Sequence, residues 1–569
     1  MSDGDKSLGA KRTEGSLAED KPPAHLEQFA EDELKQPRGL WVLFVTEMWE
    51  RFSYYGMRAL FVLFLIASTE RLLSSGEQNW NPGFGWSEAD AYTLYGVYTF
   101  MVYLTSIFGG IAADRWLGTH RAMLIGGGII TLGHIALAGM AAFPHEPGVT
   151  VSLEHGTGPL LAFLIGCTLI IIGTGFFKPC VSVMVGQLYR ENDPRRDSGF
   201  TIFYMGINLG AFFSPLVAGS LAKFVGWYWG FGSAAAGMIV CLLFYAGTRN
   251  RYLAGIGDPP QEPLSTQARV VTAGAFAALI AIPVLPLLIF VSGGLDPVIN
   301  MWSSITGTLG VYGMAGLITA TVLVASLLFL LARPGPERGP VAVILILALA
   351  GNIFFWTAFE QAGSSLNVFA EKNTDRTLHG LLESPGFPAE YYQSVNPLGI
   401  LLFAPVFAWL WLYLEKRNRD PSTPVKFSIG LWLLGLSFLA MVFGSMQARG
   451  ESLAGPQWLL ITYVVYTWGE LCLSPVGLSM VTKLAPQRLQ SLMMGLWFFT
   501  FALSNLLAGL VARFSTKFVP AEPGAEPELT FFLPGLPGFF LMLVVFPLLA
   551  GSLIFVISPW IKKMMQGIR

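Results

Sequence analysis

Charged residues are scarce in this chain of 569 residues, of which only 13% are Asp, Glu, Lys or Arg. A soluble globular protein carries about 25%. Hydrophobic residues make up 53% of the sequence and include 43 Phe and 16 Trp. So little polar surface cannot coat a water-soluble particle of this size, and most of the chain is expected to lie in lipid. A purely soluble protein and a disordered one are both excluded.

Cysteine and histidine are equally sparse, with 4 and 6 residues, and neither shows the spacing of a metal site. The net charge of -2 gives no basic excess for binding nucleic acid. Residues 1–38 are polar and lack the apolar core of a signal peptide, so we expect a disordered cytoplasmic tail. The sequence predicts no metal and no cofactor other than a proton.

Fourteen continuous apolar runs are each long enough, at about 20 residues, to cross a bilayer as a helix. Membrane β-barrels would instead show weak alternation over ten or so residues. The runs form a six-plus-two-plus-six pattern, with the two central ones at 269–292 and 310–332. We therefore predict an N-terminal six-helix bundle (39–251), a linker with two inserted helices (252–339) and a C-terminal six-helix bundle (340–569). Two six-helix halves are typical of transporters.

Lys and Arg concentrate in the loops that would face inside if the N-terminus is inside. This bias predicts that both termini are cytoplasmic, which requires an even number of spanning helices.

Charged residues within the apolar runs are the candidate functional groups, because a charge in the membrane is costly and usually faces a cavity. Glu47, Glu50 and Arg51 have i, i+3, i+4 spacing and share one helix face with Arg58. Two acids and two bases on one stripe can pair and bind a proton. The alternative is a static ion-pair network that only holds helices together.

Depth along the helices, at 1.5 Å per residue, groups the charges into two pairs. Arg58 and Glu360 would lie level near the outer face, and Lys178 and Glu470 would lie level closer to the inner face. Each pair joins opposite halves of the chain. One pair near each face is what two alternating gates would need.

Five segments resemble motifs of the proton-dependent oligopeptide transporter family of the major facilitator superfamily. The first matches the pattern E-x-x-E-R-F-x-Y-Y-G and the third matches F-Y-x-x-I-N-x-G. The segments are Glu47–Gly56, Gly173–Ser182, Phe203–Gly210, Phe359–Gln361 and Glu470–Gly477. A short loop at 447–456 and the lack of His in the second helix resemble bacterial members. The segment Gly109–Arg121 resembles a loop motif of the wider superfamily and is interpreted as conformational.

The resemblance implies a proton-coupled symporter of di- and tripeptides that works by alternating access. Arg51 and Lys178 would face the peptide carboxylate, whereas Asn208, Asn396 and Glu470 would face its amine. Ser474 is also assigned to peptide binding. Side-chain pockets would be lined by Tyr54, Tyr55, Tyr103, Trp356 and Trp497, although any one aromatic could instead pack against lipid or in the core. Proton coupling falls to Glu47, Glu50, Arg51 and Glu360.

The expected location is the cell inner membrane, with peptides, protons and lipid as partners and a functional monomer. Plant relatives carry nitrate and other anions, so proton-coupled transport of a small anion is the alternative substrate class. An enzyme or receptor would need a nucleophile–base pair, a metal cluster or a soluble signalling domain, and none is seen in the sequence. Paired gates argue against a channel.

Overall fold

The fold is all-α in a computed structural model of the chain. The residues described are 35–70, 78–143, 146–152, 154–190, 193, 195–259, 265–291, 326, 329, 332–335, 337–377, 386–450, 452–520 and 525–566. The first six helices are α1 (Arg38–Ile66), α2 (Glu88–Ala112), α3 (Thr119–Ala138), α4 (Thr157–Gln187), α5 (Arg196–Phe224) and α6 (Trp227–Tyr252). Helix α7 (Thr266–Val291) follows. The last six are α8 (Arg338–Asn373), α9 (Val395–Lys416), α10 (Thr423–Gln447), α11 (Gln457–Leu484), α12 (Gln490–Phe518) and α13 (Leu536–Met564).

Twelve of these helices are long enough and apolar enough to cross a membrane. Helix α1 is not among them, because Glu47, Glu50, Arg51 and Arg58 raise its charge, although its 29 residues would reach about 43 Å. The predicted second inserted helix, 310–332, lies outside the described residues. The chain is therefore a multi-pass membrane protein whose helices are close in number to the predicted fourteen.

Helices α3 and α4 approach closely because glycines face each other along their contact. A Cβ placed on Gly126 would lie 2.6 Å from the carbonyl oxygen of Gly173, and one on Gly166 would lie 2.9 Å from that of Gly133. Apolar lipid gives helices no hydrophobic reason to associate, so close backbone packing of small residues takes that role. The inserted helix α7 packs by one face against α2 and α4.

Helix α8 is not a regular helix, and its irregularities fall beside charged and polar residues. A π-helical turn occupies Leu347–Asn352 and a 3₁₀ turn occupies Glu360–Gly363. Such turns change which side chains share a face and occur often at functional sites.

Polar contacts between the N-terminal bundle (α1–α6) and the C-terminal bundle (α8–α13) cluster at one end. We call this the outer end, and the end at which α1 begins the inner end. Asn367 donates to the carbonyl of Ala59 at 2.9 Å, and Ser394 donates to that of Phe212 at 2.7 Å. Further contacts join Ser220 to Tyr391 (2.6 Å), Lys372 to Glu88 (2.6 Å) and Arg513 to Thr93 (3.0 Å). The two bundles are thus closed against each other at the outer end.

At the inner end, a charged loop precedes α5. The Arg195 guanidinium donates to both carboxylate oxygens of Asp193, from Nε at 3.1 Å and from Nη2 at 2.9 Å. These hydrogen bonds hold the pKa of Asp193 below its ordinary value. Arg195 also donates to the carbonyl of Lys35 at 2.9 Å, which ties the loop to the segment that leads into α1.

Candidate functional site

A central cavity of about 250 Å³ lies between the two bundles. Eleven of the predicted functional residues line it, from helices of both bundles. They are Arg51, Tyr55, Arg58, Tyr103, Lys178, Asn208, Trp356, Glu360, Asn396, Glu470 and Ser474. Tyr204 and Phe498 also line the cavity, yet they are 37% and 44% exposed. Both lie near the inner ends of their helices, so the cavity opens toward the inner end.

Arg51 is held by two carboxylates on its own helix. Its Nε donates to Glu47 Oε1 at 2.8 Å and lies 2.6 Å from Glu50 Oε2. All three side chains are buried, with at most 6% of each exposed. The i, i+4 spacing brings Arg51 to Glu47, as the sequence predicts, and Glu50 is the sequence neighbour of Arg51. Glu47 and Glu50 do not line the cavity, so they lie behind Arg51, which does.

Lys178 lies against an aromatic ring in this conformation. Its ammonium is 3.3 Å from the centroid of the Tyr103 ring, within the range of a cation–π contact. Its predicted partner, Glu470, instead accepts a hydrogen bond from Asn396 Nδ2 at 2.9 Å. Among the described ion pairs, Lys178 and Glu470 are not joined. The inner gate pair remains a prediction about another conformation.

Arg58 and Glu360 form a buried ion pair between α1 and α8. Arg58 and Glu360 are 5% and 4% exposed. Arg58 Nε also donates to the hydroxyl of Tyr95 at 2.5 Å. Because the pair joins the two bundles at the closed outer end, it has the position that the sequence predicts for an outer gate. Tyr95 was not predicted, since it carries no charge and the family resemblance assigned it no role.

Tyr54 and Trp497 do not line the cavity. The Tyr54 ring centroid lies 5.7 Å from the Arg51 guanidinium carbon, so this tyrosine supports the arginine from behind. Trp497 is 1% exposed and packs against the ring of Phe427, with centroids 6.2 Å apart. Phe498, one position further along α12, faces the cavity instead. One residue is about 100° of helix rotation, so an error of one position changes the face.

Several cavity residues were missed by the sequence analysis although helix spacing could have found them. Tyr204 lies four positions before Asn208, and Tyr466 lies four positions before Glu470. Residues four apart share a helix face, so each could have been inferred from its predicted neighbour. The other missed aromatic and polar residues are Phe359, Gln393, Tyr463, Phe498 and Phe501.

Trp497 offers a direct test of the difference between a cavity residue and a core residue. We expect Trp497→Leu to lower the free energy of unfolding by about 2–4 kcal/mol, somewhat less than the ~3–5 kcal/mol of a truncation to alanine. Thermal unfolding in detergent would measure this. The KM of the Trp497→Leu variant for substrate should change less than the KM of Phe498→Ala, the matched control at a residue that faces the cavity. A larger KM change for Trp497→Leu would place the tryptophan in the binding site.

Among the described residues, no three His, Cys, Asp or Glu side chains form a group that could hold a metal ion. The four cysteines are free and buried.

The long apolar helices, the two six-helix bundles and the charged cavity between them define a membrane transporter of the major facilitator type. The family model described as "POT family" matches residues 120–526, which is more than half of the chain. The chain therefore belongs to the POT family, and the predictions of the family and of a transporter rather than an enzyme are confirmed.

Relatives match along nearly the whole chain. An "Uncharacterized transporter YclF" of Bacillus subtilis is 38% identical over 532 residues, which is 94% of this chain and 96% of that protein. The "Peptide transporter YePEPT" of Yersinia enterocolitica is 38% identical, over 82% of this chain and 86% of its own. A "Di-/tripeptide transporter" of Lactococcus lactis is 34% identical, over 94% and 97%.

Solved structures show the same fold. A POT family transporter in complex with 5-aminolevulinic acid is 31% identical, with a TM-score of 0.75 over 93% of this chain and 97% of its own. A peptide transporter POT in complex with sulfate is 33% identical, with a TM-score of 0.73 over 95% and 99%. Both confirm the predicted all-α fold of the major facilitator type.

Proposed function

We propose that this protein is a symporter that imports di- and tripeptides together with protons by alternating access. It would lie in the inner membrane of a bacterium with both termini in the cytoplasm, and would function as a monomer. Residues 39–251 and 340–569 would be the two bodies that move, with the inserted segment 252–339 between them.

The observation that carries this proposal is the division of charge in the cavity. The N-terminal bundle supplies Arg51 and Lys178, and the C-terminal bundle supplies Asn396 and Glu470. Every short peptide has a carboxylate at one end and an amine at the other, whatever its side chains. A carrier that binds both termini through charged groups can accept many side chains. The printed names of the Yersinia and Lactococcus relatives support the same substrate class.

Proton coupling follows from competition for Arg51. Glu47 and Glu50 share Arg51 in the structure. A peptide carboxylate that binds Arg51 and Lys178 takes part of that positive charge from the glutamates. A buried carboxylate without its cation is stabilised by accepting a proton. Peptide binding therefore favours proton binding, and by linkage a proton favours the peptide equally.

Gating uses the two ion pairs in turn. The structure is closed at the outer end, where Arg58 and Glu360 are paired. Protonation of Glu360 would remove the charge that attracts Arg58 and allow the outer end to open. Formation of the Lys178–Glu470 pair would then close the inner end. Because the Lys178–Glu470 pair forms when the Arg58–Glu360 pair breaks, the cavity opens to one side of the membrane at a time.

Uptake into proteoliposomes tests this proposal. With an inward acid gradient we expect a dipeptide to accumulate above its external concentration, and without the gradient only to equilibrate. Collapse of the gradient with a protonophore should release the excess. Nitrate offered in parallel separates the alternative substrate class. Gradient-driven uptake of nitrate but not of dipeptide would contradict the proposal, as would dipeptide uptake indifferent to the gradient.

A further inference from the structure

A chain of buried hydrogen bonds lies behind the cavity wall and ends on Trp356. The indole Nε1 of Trp356 donates to Asn352 Oδ1 at 2.8 Å. Asn352 Nδ2 donates to Thr500 Oγ1 at 2.7 Å, and Thr500 Oγ1 donates to the carbonyl of Trp497 at 2.7 Å. Asn352 and Thr500 are both 0% exposed, and neither lines the cavity.

The donors and acceptors of these side chains allow only one direction for this series of hydrogen bonds. An indole nitrogen can donate but not accept, so the amide of Asn352 must turn its oxygen toward Trp356. The amide nitrogen then faces Thr500, whose hydroxyl accepts that bond and has its own hydrogen left for a carbonyl. The indole nitrogen, the Asn352 amide nitrogen and the Thr500 hydroxyl each donate to a partner, and a buried donor that loses its partner is costly. The indole orientation is therefore tied to Asn352 and Thr500.

The irregular turn in α8 places Asn352 for this task. Asn352 is the last residue of the π-helical turn Leu347–Asn352 and is followed by the regular helical segment Ile353–Phe359. Trp356 lies four positions further on, so the two side chains share one helix face. The amide nitrogen of Asn352 reaches α12, where it donates a hydrogen bond to the hydroxyl of Thr500.

The ring of Trp356 therefore lines the cavity with its indole N–H already bonded to Asn352. The indole packs with Phe359 and Phe501, each with centroids 4.9 Å from its own. Phe501 stacks on Tyr103 with centroids 6.4 Å apart, and Tyr103 supports Lys178. An aromatic wall whose only indole donor is occupied favours apolar side chains over polar ones.

We propose that Asn352 and Thr500 are positioning residues that orient Trp356 and give the cavity a preference for peptides with aromatic or large aliphatic side chains. This inference rests on the proposed function. Neither residue touches the peptide. They act through the ring they hold.

The test compares uptake of Ala-Ala and Ala-Phe, two dipeptides with the same termini and different side chains, into proteoliposomes. Thr500→Val keeps the side-chain shape but removes the hydroxyl. We expect it to raise the KM for Ala-Phe about three- to tenfold, the effect of one lost hydrogen bond, and the KM for Ala-Ala less than twofold. Thr500→Ser, which keeps the hydroxyl, should resemble the parent. Asn352→Ala should resemble Thr500→Val.

A background variant separates the proposed role from general destabilisation. Trp356→Phe removes the indole donor, so Thr500→Val should have no further effect on the Ala-Phe to Ala-Ala ratio in that background. Equal changes for both dipeptides, no change for either, or an undiminished effect in the Trp356→Phe background would overturn the inference. A parent protein that transports neither dipeptide would overturn the proposed function and this inference together. Normal parent uptake with the wrong Thr500→Val pattern would overturn the inference alone.

Discussion

Glu360→Gln is expected to abolish uphill accumulation of dipeptide while leaving exchange of peptide across the membrane. Glutamine keeps the size of the side chain and can still accept a hydrogen bond from Arg58, but its amide cannot bind or release a proton near neutral pH. Opening and closing of the outer gate would then no longer depend on proton binding. In proteoliposomes, gradient-driven uptake should fall to equilibration, while counterflow of labelled peptide against internal unlabelled peptide should persist.

Glu371→Gln is the matched control for that variant. Glu371 lies on the same helix and pairs with Arg376 at 2.9 Å, but its side chain is 43% exposed and does not line the cavity. Because the Glu371 carboxylate is exposed, its ion pair contributes little, and accumulation should resemble that of the parent. If Glu360→Gln still concentrates peptide, or if Glu371→Gln loses accumulation to the same extent, the assignment of Glu360 to coupling is wrong.

Arg51→Gln is expected to raise the KM for dipeptide by at least about 30-fold, because truncating one partner of a buried, hydrogen-bonded charge pair between two molecules costs about 2–5 kcal/mol of binding free energy. The change removes the cation offered to the peptide carboxylate. It also leaves Glu47 and Glu50 buried without their shared partner. Uptake by saturation kinetics would measure the effect, with size-exclusion chromatography and thermal unfolding to confirm that the variant is folded.

Two further variants define the cause. Arg51→Lys keeps the charge but loses the planar guanidinium, whose Nε lies against both carboxylates, so an intermediate KM is expected. Arg449→Gln removes an exposed arginine two residues beyond the end of α10 and should leave the KM unchanged. A parent-like KM in Arg51→Gln would contradict the binding of the peptide carboxylate by Arg51.

Much of the site could be predicted because charge inside a membrane is rare. Glu47, Glu50, Arg51 and Arg58 stand out in an apolar run, and helix spacing alone places them together. Depth along the helices also paired Arg58 with Glu360 across the two halves, and the structure places them in contact. The first outcome follows from a local spacing rule, and the second follows from comparing depth along two helices.

The remaining features depend on information that no local rule contains. Trp497 and Phe498 are both large apolar residues, and only the rotation of α12 decides which one faces the cavity. Tyr95 and Asn352 are uncharged, so their partners become evident only when other helices are in place. The separation of Lys178 from Glu470 belongs to the one conformation that the structure shows, whereas the proposed alternating access requires at least two.

The measurement that tests the central claim most directly records peptide and proton movement together. Proteoliposomes would enclose a pH-sensitive dye and begin with equal pH on both sides. Our account predicts that adding external dipeptide acidifies the interior in step with peptide entry, and that Glu360→Gln uncouples the two signals. Peptide that enters the parent proteoliposomes with no accompanying acidification would contradict the claim that buried acids and bases exchange partners when a proton binds.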